Sequence, residues 1–226
     1  MTTPTTTATT SSARLPEATP RRTGTEARAP HPWLVLAAPG AVFRAVADGC
    51  GPRRALRTLL QVLPLMPVVF GFLVYDGIRT ALLEDPALAD RAGAAGYLAV
   101  LAGVVLCVVQ VALMAANYAV FAVAVRVGGD AGPEHRTLLA VWAYACFPLV
   151  LRQVCYVLVI ATAGPEWLTD RAAVVGVADP FLAAVAVLFF IGCRKGLGLT
   201  AVRSAVVTVL TTVIGVLGAL VGGVAL

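Results

Sequence analysis

From about Thr58 onward, apolar residues come in five long stretches, and charged residues gather almost entirely between them. The loops alternate in character: basic, acidic, basic, acidic, basic. Apolar runs of this kind predict helices that cross a membrane, because in lipid each segment must satisfy its own backbone hydrogen bonds. The pattern predicts an all-α, polytopic transmembrane helix bundle with five spans, at about 58–75, 97–125, 137–163, 180–192 and 201–226.

The chain before the first span reads differently. Residues 1–30 are rich in Thr, Ala, Pro and Arg and nearly free of large apolar side chains, so they predict a disordered, solvated tail. No apolar core directly follows their basic residues, which argues against a secretory signal. Pro39 and Gly40 then break any helix begun at Trp33. Residues 41–49 predict a short amphipathic helix with Val42, Phe43 and Val46 on one face and Arg44 and Asp48 off it. That face could rest on the membrane surface or pack on the bundle, and Trp33 and Phe43 suit a headgroup boundary.

Composition supports the membrane reading. Hydrophobic residues are 59% of the 226 and charged residues only 13%, with a mean hydropathy of +0.88. A soluble domain of this size needs more polar surface. The net charge of +5 is spread over several loops and points to anionic headgroups rather than nucleic acid. Eight basic residues (Arg53, Arg54, Arg57, Arg126, Arg136, Arg194, Lys195 and Arg203) fall on one predicted side, and three (Arg79, Arg91 and Arg171) on the other. The positive-inside rule then predicts a cytoplasmic N-terminus and an outward C-terminus, as an odd number of spans requires.

The interruptions within the spans are the candidate functional positions. Pro64 and Pro67 predict a kink in the first span. Gln110 and Asn117, seven residues apart, fall on nearly one face of the second. The third carries Pro148 and, near its middle, Arg152, which needs a counter-charge at that depth. Asp179 and Asp76 are the acids near outer span ends, so an Arg152–Asp179 pair, or one through Asp76, is expected. Such a pair could fix helix register or line a polar path. Asp179 before Pro180 also reads as a helix start, with Asp as cap and Pro in the first turn. In the fifth span Ser204, Thr208, Thr211, Gly215, Gly218 and Gly222 form one small or hydroxylated stripe, expected to pack against another helix or protomer.

Catalytic patterns are missing from the sequence. The histidines are His31 and His135, outside the spans, and no GxSxG, HExxH or P-loop occurs. The five cysteines form no CxxC pair and read as small hydrophobes. Neither a cofactor nor a metal site is expected, and the sequence names no small-molecule ligand.

Several of these elements occur together in a known group. Gly128-Gly129 precedes Leu138-Leu139-Ala140-Val141-Trp142-Ala143-Tyr144-Ala145-Cys146-Phe147-Pro148, and later come Asp179-Pro180-Phe181 and Gly196-Leu197. With the Pro39…Phe43 element, the order and spacing over residues 32–226 resemble the Yip1 domain family of five-span membrane proteins. The resemblance implies a non-enzymatic integral membrane protein that organises membranes or takes part in traffic. Eukaryotic members are associated with vesicle traffic and Rab-type GTPases. This chain lacks their acidic, aromatic-rich cytosolic segment, and its Ala-, Val- and Arg-rich usage suggests a bacterial cytoplasmic membrane protein. The expected partners are the lipid bilayer and either another protein or a second copy. The alternative is a small transporter or channel subunit with Arg152 in a polar path.

Overall fold

The computed structural model describes residues 29–62, 65–127, 132–163 and 179–224. Residues 1–28 of the expected disordered tail therefore lie outside the described residues, as do Pro64, Gly128-Gly129 and the acidic loop before Asp179, while Ala29 and Pro30 at its end are held by hydrogen bonds from Arg54 and Tyr144. The described residues are mostly helical, with short turns between the helices and no strand.

Helices α1 (Leu34–Ala37), α2 (Pro39–Ala47) and α3 (Arg53–Val62) come first. Pro39 stands at the first position of α2, where its missing N–H costs nothing. Val42, Phe43 and Val46 of α2 are fully or almost fully buried, so this face packs inside the protein rather than lying on lipid. Helix α4 (Leu65–Glu84) follows. The apolar stretch expected as one span at 58–75 is thus shared between α3 and α4, and α4 continues past Tyr75 through Asp76 and Arg79.

A 3-10 segment (Ala89–Ala94) leads into α5 (Ala95–Arg126), which at 32 residues is about 48 Å long, more than the ~30 Å hydrocarbon core needs. Helix α4 lies along α5. At Gly71 an added Cβ would sit 3.4 Å from the Ala99 carbonyl oxygen, a small-residue contact of the kind that lets apolar helices approach.

The stretch expected as the third span is two helices, α6 (His135–Ala145) and α7 (Pro148–Ala163). Pro148 is not in the middle of a helix but at the first position of α7. There it cannot donate to the Tyr144 carbonyl, which accepts instead from Phe147 N at 3.3 Å. Leu149 N and Val150 N also reach back three residues, to Cys146 O and Phe147 O, so the joint is closed by 3-10-type bonds.

Helices α8 (Pro180–Lys195) and α9 (Ala201–Val224) complete the bundle, with α9 against α5 and α8. The core gathers around α6, whose residues from Ala140 to Ala145 are all buried. It is enclosed by α2, α3, α8 and the last turns of α5. Gly192 makes that enclosure fit: an added Cβ would stand 2.8 Å from Val141 Cγ1 and 3.0 Å from Phe43 Cε1. Gly196, one turn on, meets Val141 just as closely.

Among the described residues, two helical runs are long and apolar enough to cross a membrane. One is Ala89–Arg126, with mean hydropathy 2.7 and only 11% of its most apolar window buried. The other is His135–Val159, with 1.6 and 67%. A shorter apolar helix runs over Ala201–Gly215.

Replacing Gly192 by Val should overpack the α2–α6–α8 contact and cost about 1–3 kcal/mol. Gly77→Ala is the control, because nothing lies within 4 Å of its added Cβ, and removing a glycine from a helix interior should stabilise by roughly 0.5–1 kcal/mol. Thermal unfolding in detergent should move in opposite directions for the two variants. An unchanged midpoint for Gly192→Val would refute the packing account.

Candidate functional site

Arg152 sits in the second turn of α7, and Asp179 caps α8. Their side chains meet: Arg152 Nε lies 2.6 Å from Asp179 Oδ2. This is the sole ion pair among the described residues, and Asp76 takes no part in it, lying exposed on α4. The Arg152 Nε–H itself points to Tyr156 Oη at 3.1 Å, and the guanidinium carbon stands 4.8 Å from the centre of the Tyr156 ring. The contact with Asp179 Oδ2 is therefore mainly Coulombic, since no hydrogen bond of good angle reaches that oxygen. Asp179 Oδ1 accepts from Phe181 N at 2.8 Å and satisfies one of the free amides at the start of α8.

One carboxylate thus caps a helix and balances a charge. Its side chain is 1% exposed and that of Arg152 is 20% exposed. A charge so enclosed is tolerated only when paired. Nearby in sequence, Gln153 is buried and its Oε1 has no partner among the described residues.

A second polar link joins three helices. Asn117 of α5 accepts from Trp142 Nε1 of α6 at 3.0 Å and donates to the Thr211 carbonyl of α9 at 2.9 Å. Gly215 makes room for it, since a Cβ there would lie 3.4 Å from Asn117 Nδ2. The small stripe of α9 is turned inward, with Ser204, Thr208 and Thr211 buried. Thr211 Oγ1 donates to Val207 O at 2.8 Å. Gly218 and Gly222 continue the helix beyond the residues whose surroundings are described. Gln110, expected on the face of Asn117, is half-buried and has no such role.

Two contacts tie the N-terminal segment to the α6–α7 joint. Tyr144 Oη donates to Pro30 O at 2.9 Å, and Trp33 packs edge-on against Phe147 at 4.9 Å between ring centres. Arg54 Nη1 adds a bond to Ala29 O at 3.0 Å. These links join residues more than twenty positions apart and leave no periodic trace in the sequence.

Basic residues collect at one end of the bundle: at the start of α3, the end of α5, the start of α6, the end of α8 and the start of α9. Arg203 Nη2 donates to the carbonyls of Val125 and Val127, closing the C-terminus of α5 with a cation where the helix dipole favours one. Arg136 covers Gly51, where an added Cβ would come within 2.8 Å of its guanidinium. Burial, and next the Asp48 carboxylate, push the Cys50 thiol up from its ordinary value, while Arg136 pulls it down. A thiol raised in this way ionises less readily. Among the described residues no three of His, Cys, Asp and Glu converge as metal ligands would. The described arrangement positions helices and charges.

The sequence profile of the Yip1 domain family matches residues 33–223, which takes in every helix described above except the last residue of α9. No curated protein and no solved structure matches the chain.

Arg152→Leu should strand Asp179 as a buried, unpaired charge and cost about 3 kcal/mol. Asp179→Asn keeps an oxygen for the α8 cap, and the double variant should be more stable than Arg152→Leu alone. Additive losses in this cycle, measured by unfolding in detergent, would refute the coupling. Asn117→Ala removes two interhelical bonds and should cost about 1–2 kcal/mol. An unchanged midpoint would count against the three-helix link.

Proposed function

The chain belongs to the Yip1 domain family, and from that premise we propose that it is a non-enzymatic integral membrane protein working through contacts with lipid and with a protein partner. The observation that carries the reading is the surface of α5. Val100, Leu101, Val104, Val105 and Val108 are all more than half exposed along one long helix. In water such a face would forgo roughly 25 cal/mol for each Å² left uncovered, whereas lipid covers it at no such cost.

The reading assigns five crossings to α4 (with α3 leading into it), α5, α6–α7, α8 and α9. The basic end faces the cytoplasm, so the N-terminus is inside and the C-terminus outside. A bacterial cytoplasmic membrane suits the Ala-, Val- and Arg-rich composition. Helix α8, with 16 residues, is only about 24 Å long, shorter than the hydrocarbon core. Its capped start at Asp179 then lies within the membrane, where the Arg152 charge is the compensation. The closure of that pair, in which Arg152 is held against Asp179 and Tyr156, supports a structural role for Arg152.

Reporter fusions at Ala89 and Ala131 should report opposite sides of the membrane, with Ala131 in the cytoplasm. Both on one side would overturn the crossing pattern. Crosslinking in native membranes should yield a discrete protein or lipid adduct. A solute flux that vanishes in Arg152→Leu while the fold persists would replace this reading with transport.

A further inference from the structure

The last turns of α5 and the first turns of α9 line an open groove of about 480 Å³. Ala119 and Val123 of α5 form one wall, and Val206 and Leu210 of α9 the other. The lining is apolar over about 12 Å of helix, from Ala119 to Val127. Arg203 is its one charged residue, and it stands at the end of the groove. Exposed Arg126 closes the neighbouring helix at that same end.

This distribution of polarity selects an occupant. A soluble ligand would need polar partners along its length, and the groove offers them at one end only. A second protein helix would meet a cation where its own side chains enter. An amphiphile with an apolar tail and a single anionic head matches both the walls and the end. Arg203 spends Nη2 on the Val125 and Val127 carbonyls. A guanidinium carries five N–H donors, and among the described residues Nε and Nη1 have no partner. No described carboxylate pairs with Arg203 or Arg126.

We infer that the groove seats one acyl chain of an anionic phospholipid, drawn from the leaflet that faces the basic end, with the phosphate held by Arg203. The inference rests on the membrane reading above and narrows it to a lipid class and a place. Lipid in this position would fill the gap between α5 and α9 beyond their contact at Asn117. It would also couple the packing of α9 to the charge of the leaflet.

The full-length protein, purified in mild detergent, tests this by native mass spectrometry with phosphatidylglycerol and phosphatidylcholine of matched acyl chains. Wild type should retain one phosphatidylglycerol in preference to phosphatidylcholine by roughly tenfold, the scale of one charge-assisted contact. Val206→Phe places a ring in the groove from an exposed wall position, and should lose most of the bound lipid while keeping its unfolding midpoint. Arg203→Gln should retain the two lipids equally. Because Arg203 also closes α5, the Val206 variant decides the matter if the Arg203 variant does not fold. Equal retention of both lipids by wild type would overturn the inference, as would undiminished phosphatidylglycerol on Val206→Phe. A protein dimer abolished by Val206→Phe would overturn it in favour of a second copy. The topology fusions report on the membrane reading independently, so failure of the lipid preference alone leaves that reading standing.

Discussion

Helix α6 has no polar face along Ala140–Ala145, and a helix that is apolar all round has to be surrounded on all sides. Much of the architecture answers that demand. Helices α2 and α3 cover one side, α8 another, and the last turns of α5 a third. The coverage is close only because α8 presents Gly192 and Gly196 to Val141, so that backbone meets side chain without an intervening Cβ. Phe43, fully buried here, contributes on the order of 1.5–3 kcal/mol by its removal from solvent. Burial continues across the α6–α7 joint, since Cys146, Phe147 and Val150 are buried as well.

Inside an apolar bundle each polar group has to find a partner, because no solvent will supply one. Three of the described side chains have partners on another helix, and each such link also fixes a register. Asn117 joins α5, α6 and α9. Asp179 caps its own helix while balancing Arg152 on α7. Arg203 of α9 closes the end of α5. These links occupy different levels of the bundle, and together they hold helices whose apolar surfaces alone would slide. The chain belongs to the Yip1 domain family, and within its described residues these links tie the helices to one another.

Some of this was readable in the residues themselves. The Asp179-Pro180 start depends on local cap chemistry, so a dipeptide discloses it. The inward stripe at Ser204, Thr208 and Thr211 follows helical period, so spacing discloses it. Arg152 announced a need for a counter-charge, and composition offered Asp179 and Asp76 as candidates. Choosing between them needed the fold, because both lie near span ends and only the start of α8 comes beside the second turn of α7. Gly192 and Gly196 are also four residues apart, but their spacing alone does not disclose a packing role. A glycine pair signifies contact only when something large stands opposite, and Phe43 lies nearly 150 residues away in the chain.

That the protein is helical and apolar, where along the chain its charges gather, and which residues are costly to bury can be read from the residues alone. Those properties reside in composition and period, which act locally and survive any packing. The tertiary structure decided which partner each costly residue received and that α2 packs inward. It also decided that Pro148 opens a helix instead of kinking one. Such outcomes depend on which surfaces meet, and in a bundle where nearly every face is apolar many pairings satisfy the hydrophobic pattern equally well. The few polar atoms and the missing side chains of glycine break that degeneracy, and both act only once the helices are side by side.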